Sequence, residues 1–67
     1  MNQTKYIVQY RTSETHNAII FNTRREASEW VMIYLNDLCW PYTAPLTMLI
    51  DYARKNKIAF VEIIEDI

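Results

Sequence analysis

The sequence predicts an α+β fold: a two-layer domain in the order β-β-α-α-β, with a three-stranded sheet and two helices packed on one of its faces. Three observations carry this reading. Residues 4–11 alternate side chains with period two. Residues 27–38 place apolar side chains at the 3.6-residue period of a helix. Pro41 then ends that helix, so the apolar positions after it belong to a second one.

In the first strand, Tyr6, Val8 and Tyr10 form one face and Lys5, Ile7, Gln9 and Arg11 the other. The polar stretch 12–16 reads as a turn, and 17–21 as a second strand closing a β-hairpin. The turn has no glycine, and Asn17 is expected to supply its left-handed backbone. Thr23 and Glu26 have the spacing of a capping box. Ala27, Trp30, Val31, Tyr34, Leu35 and Leu38 follow as the apolar stripe of the first helix. Residues 40–44 connect the helices. Thr43 or Ala44 is expected to cap the second helix, with Pro45 in its first turn. Leu46, Leu49, Ile50 and Ala53 form its core face, and Arg54, Lys55 and Lys57 sit at its C-terminal end, where the helix dipole favours cations. Residues 58–64 read as the third strand, apolar on both faces except for Glu62. One helical hairpin between the strands allows the third strand to run parallel to the first; the strand order is left open.

Length and composition exclude several classes of function. The 67 residues make a single domain, 1–67. A chain of this size buries only about 60% of its unfolded surface, and its core supplies roughly 3–5 kcal/mol. Cys39 is the one cysteine, so neither a disulfide framework nor a multi-cysteine zinc site is possible within the chain. There is no glycine. The usual phosphate-binding loop, dinucleotide fingerprint and nucleophile elbow are therefore absent. Seven basic and eight acidic residues argue against a general nucleic-acid binder. The polar start, Met1 to Lys5, has no signal-like apolar segment, and no apolar run is long enough to span a membrane. A cytoplasmic location is expected. Ile, Asn, Lys, Tyr, Phe and Met together outnumber Gly, Ala, Arg and Pro by 27 to 11, which indicates AT-rich coding and suits a low-GC bacterium or its phage.

Chemistry-bearing residues are few. His16 falls in the predicted turn without an oriented partner, and Cys39 ends a helix where the dipole disfavours a thiolate. Glu62 and Glu65 point to opposite faces of a strand, and Glu26 is engaged in the cap. No catalytic, metal or cofactor-binding set emerges, and the chain is read as non-enzymatic. Arg24 and Arg25 stand in the first turn of a helix, where the dipole opposes cations. With Thr23 and Ser28 they form a candidate anion site.

The strongest functional signal is a surplus of large apolar residues. Met32, Ile33, Met48 and Tyr52 lie outside the main helical stripes, and Trp40 and Tyr42 lie in the connector. A two-layer domain has one core, so some of these residues are expected at an interface. The sequence reading is thus a small protein-binding module, with Trp40, Tyr42, Arg24, Arg25, Met32, Met48 and Tyr52 contacting the partner. A phage accessory protein that inhibits a host enzyme or defence complex in the host cytoplasm fits this size and composition. A two-fold dimer is the expected self-associated form, because such contacts bury most simply the surplus made by the doubly apolar strand 58–64 together with Met32, Ile33, Met48 and Tyr52. The alternatives are a nucleic-acid-binding regulator using Arg11, Arg24, Arg25, Arg54, Lys55 and Lys57, and a structural homo-oligomer.

Overall fold

A computed structural model of the chain describes residues 4–66; the polar first three residues and Ile67 lie outside the described part. The elements are β1 (Lys5–Arg11), β2 (His16–Phe21), α1 (Arg24–Leu38), α2 (Leu46–Lys55) and β3 (Phe60–Asp66). They form the expected α+β domain. The sheet order is β2-β1-β3, with β1 in the middle and antiparallel to both neighbours.

The period-two pattern of β1 sets the two faces of the sheet. Val8 is fully buried beneath the helices. The register places Ile19 and Ile63 on either side of it, and Asn17 and Val61 flank Tyr10. The opposite face carries a row of Ile20, Ile7 and Ile64, and further along a row of His16, Arg11 and Phe60. Both helices pack on the first face, and among the described residues no element covers the second. The hairpin turn is tied by Thr12, whose hydroxyl accepts from the N–H groups of Glu14 and Thr15. Asn17 is an ordinary strand residue; among the described residues the one left-handed backbone is Lys57, with φ 57°. Side-chain and backbone bonds of Thr12 close the turn, so the turn needs no left-handed residue.

The capping box forms in a modified way. The Thr23 hydroxyl accepts from the Glu26 N–H at 3.1 Å and donates to the Glu26 carboxylate at 3.0 Å. The return contact is thus between side chains. Trp30 and Tyr34 of α1 stack at 5.0 Å, and each meets Tyr10, at 4.9 and 5.1 Å. This cluster, extended by Phe21, holds α1 over β1 and β2. On the next stripe Val31 and Leu35 join Val8, Leu49 and Ala53 in a core from which solvent is excluded.

Three expectations are corrected in the second half of the chain. Pro45 itself is the N-cap of α2, with no side-chain cap bond, in place of Thr43 or Ala44. The third strand starts at Phe60, two residues later than the apolar run suggests. Lys57 turns left-handed, its N–H bonds the Arg54 carbonyl, and the Ile58 N–H bonds the Ala53 carbonyl at 2.8 Å. This is the Schellman closure of a helix. Ile58 is therefore apolar as part of a helix stop, and Ala59 is buried in the core. Finally, β3 is antiparallel to β1, where a parallel strand had been allowed. An up-and-down helical hairpin returns the chain parallel to β1. Here Leu46 lies beside Ser28, Met32 and Ile33 of α1, while Arg54 and Lys57 lie beside Thr12 at the far end of the sheet. The connector therefore runs back along the helical layer before α2 begins. Pro41 and Pro45 bar helix there and favour extended backbone before them, which covers about 3.3 Å per residue.

Candidate functional site

Among the described residues no polar side chain is buried, and no three His, Cys, Asp or Glu side chains converge. The distinctive surface is apolar. On the helical layer Ile33 is 72% exposed, Trp40 75% and Met48 54%. The helical period explains Ile33: it stands opposite the buried Ala27, Val31 and Leu35 of the same helix. Met32, one residue earlier, is half-buried toward the core. With Ser28, Glu29 and Leu46, these two side chains bound a hollow of about 410 Å³ with almost wholly apolar walls. The hollow exists because the connector brings the start of α2 alongside the middle of α1.

The connector aromatics divide. Trp40 projects from the end of α1 and is not a lid on the core. The Trp40–Pro41 peptide bond is cis. Tyr42 lies flat on Tyr52, with ring centroids 4.0 Å apart and planes 10° apart. This stacked pair packs against the core and, with Met48, borders a second depression on the outer flank of α2.

The basic residues are dispersed. Arg25 is exposed and bonds Glu29 at 3.0 Å one turn along the helix. Arg24 and Thr23 border a hollow with Lys5 and Asn22, whereas Ser28 lines the apolar hollow. The structure therefore does not bring the four residues of the candidate anion site together. Arg54 and Lys55 both bond Asp51, at 2.6 and 3.0 Å. Their hydrogen bonds hold the Asp51 carboxyl below the ordinary range, Lys55 first and Arg54 second. Arg11 lies over the Phe60 ring, 5.2 Å from its centroid. His16 is exposed at the start of β2. Cys39 is buried, and burial pushes its thiol pKa up, so the protonated form persists at neutral pH. Burial and, to a lesser degree, the neighbouring Tyr10 likewise raise the pKa of Tyr34.

The sequence reading singles out the third strand as apolar on both faces, but not the β1 and β2 part of the open sheet face. Ile20 is 66% and Phe60 41% exposed on it, beside Ile7 and Ile64. The available signal was Ile7 in the polar phase of β1, together with the unbroken run Ala18 to Phe21, which has no polar phase at all. Comparison with protein families, with curated proteins and with solved structures finds none that matches this chain.

Proposed function

We propose that the chain is a non-enzymatic protein-binding module that docks a partner on its helical layer, at the apolar hollow between α1 and the start of α2. One observation carries the reading: Ile33 stands largely in water at the rim of a hollow walled by Met32 and Leu46. Such a patch is costly to leave wet in a domain this small and is the usual mark of an interface. Trp40 adds a second exposed anchor on the same layer, of a residue type enriched among binding hot spots. Pro41 and Pro45 restrict the connector that carries it, which lowers the entropy lost on docking. Within this reading, the AT-rich coding bias supports a phage-encoded protein that occludes a surface of a host enzyme or defence complex.

The test compares wild type with Ile33→Asp and Trp40→Ala, both at exposed positions. A partner bound by wild type is expected to lose roughly thirtyfold in affinity with either variant, the worth of one hot-spot side chain. The melting temperature should stay within a few degrees of wild type. Equal binding by both variants removes the helical layer from the interface.

A further inference from the structure

We infer that the free edge of β3 is a self-pairing surface, on which a second copy of this chain adds its own β3 antiparallel about a two-fold axis. The paired edges make a six-stranded sheet. This goes beyond the docking of a partner on the helical layer and uses different residues.

β3 lies at the rim of the sheet with its outer backbone groups unpaired by any described segment. It is seven residues long and has no proline and no lysine; its protection against indiscriminate pairing is three acidic side chains. Its charges select the occupant. All three ionisable side chains, Glu62, Glu65 and Asp66, are acidic and lie in the middle and at the C-terminal end. The N-terminal end is basic: Arg11, Arg54 and Lys57 surround Phe60 there. An edge that is positive at one end and negative at the other complements itself when reversed. Antiparallel two-fold pairing performs that reversal.

The register follows from the same charges. A two-fold axis normal to the sheet requires opposed residues to lie on the same face, so it must pass through a residue position. Centring on Glu62 or Glu65 opposes that carboxylate to itself. Centring on Ile64 opposes Glu62 to Asp66, and centring on Val61 leaves the second half of the strand unpaired. Only the register centred on Ile63 pairs all seven residues without opposing like charges, which would be destabilising. In it Phe60 lies opposite Asp66 of the second copy. Arg11 already stretches across β3 over the Phe60 ring, toward that edge. Two strand spacings, about 10 Å between backbones, separate it from the incoming Asp66, within the joint reach of the two side chains. Above the edge, α2 packs on β3 and not on β1. The other rim, β2, has no charged side chain from Asn17 to Phe21 to fix a register. Pairing β2 onto β3 head to tail does not close.

A charge swap tests the inference on the full chain. By sedimentation equilibrium, wild type is expected to form dimers. Arg11→Glu and Asp66→Lys alone should each raise the dimer dissociation constant about tenfold, because two symmetric contacts turn repulsive. An equimolar mixture of the two variants should regain near-wild-type affinity, since each heterodimer contact again joins opposite charges. Monomeric wild type up to high micromolar concentration, single variants as tight as wild type, or a mixture no tighter than the singles overturns it. Hydrogen exchange of wild type needs no variant to fold. With rising concentration the β3 amides should gain protection and those of β2 should not; no change at β3, or an equal gain at β2, counts against the inference.

Discussion

Lys57 occupies the position at which helices most often place glycine. Its φ of 57° is required by the closure of α2, where the Lys57 and Ile58 N–H groups take up the last free carbonyls. A side chain with a β-carbon is strained there, and the chain contains no glycine to relieve it. Lys57→Gly is therefore expected to stabilise the fold by about 0.5–1 kcal/mol, after allowance for the greater freedom of glycine in the unfolded chain. Urea denaturation checks this; a loss of stability would show that Lys57 makes a contact worth more than its strain. Cys39 obeys a simpler rule. Its folded pKa is raised, so its contribution to stability is present at neutral pH and is lost as pH rises through the folded value.

The two helices differ in how they start, and the difference decides how much of each was legible. Thr23 announces α1 through its hydroxyl, which both accepts from the Glu26 N–H and donates to the Glu26 carboxylate. Thr23→Ala removes both bonds and should cost about 1 kcal/mol in urea denaturation, with an effect below a few tenths contradicting the cap. α2 starts at Pro45 with no side-chain bond, so no residue type marks the boundary. β1 and the α1 stripe were readable because a single periodicity covers each, and β2 because a short apolar run follows a polar turn. The end of α2 was not: Ile58 and Ala59 are apolar for helix closure and core filling, and so they extend the apparent third strand. Of the candidate site, Met32, Trp40 and Met48 could be picked out as surplus to the helical stripes. The hollow that Met32 lines with Ile33 and Leu46 required knowing that the connector runs back, and periodicity carries no information about chain direction.

At the scale of the whole molecule, one small core leaves two apolar surfaces outside it. Val8, Val31, Leu35 and Leu49 fill the single layer between sheet and helices. Each contributes about 1.5–3 kcal/mol by burial. Beyond that layer, the helical side exposes Ile33 and Trp40 and the sheet side exposes Ile20 and Phe60. A domain with so little stability to spare tolerates such exposure most readily where a partner covers it. No described helix is long and apolar enough to cross a membrane.

The central claim is that the helical hollow is the docking surface, and site-specific photocrosslinking reads it most directly. A benzophenone side chain placed at Ile33 samples the rim of the hollow, and the same group at Glu14 samples the exposed hairpin turn at a distance from it. Irradiation in the presence of the bound partner should give a discrete protein adduct from position 33 and none from position 14. Adducts of equal yield from both positions, or from position 14 alone, would contradict the assignment of the helical layer as the binding face.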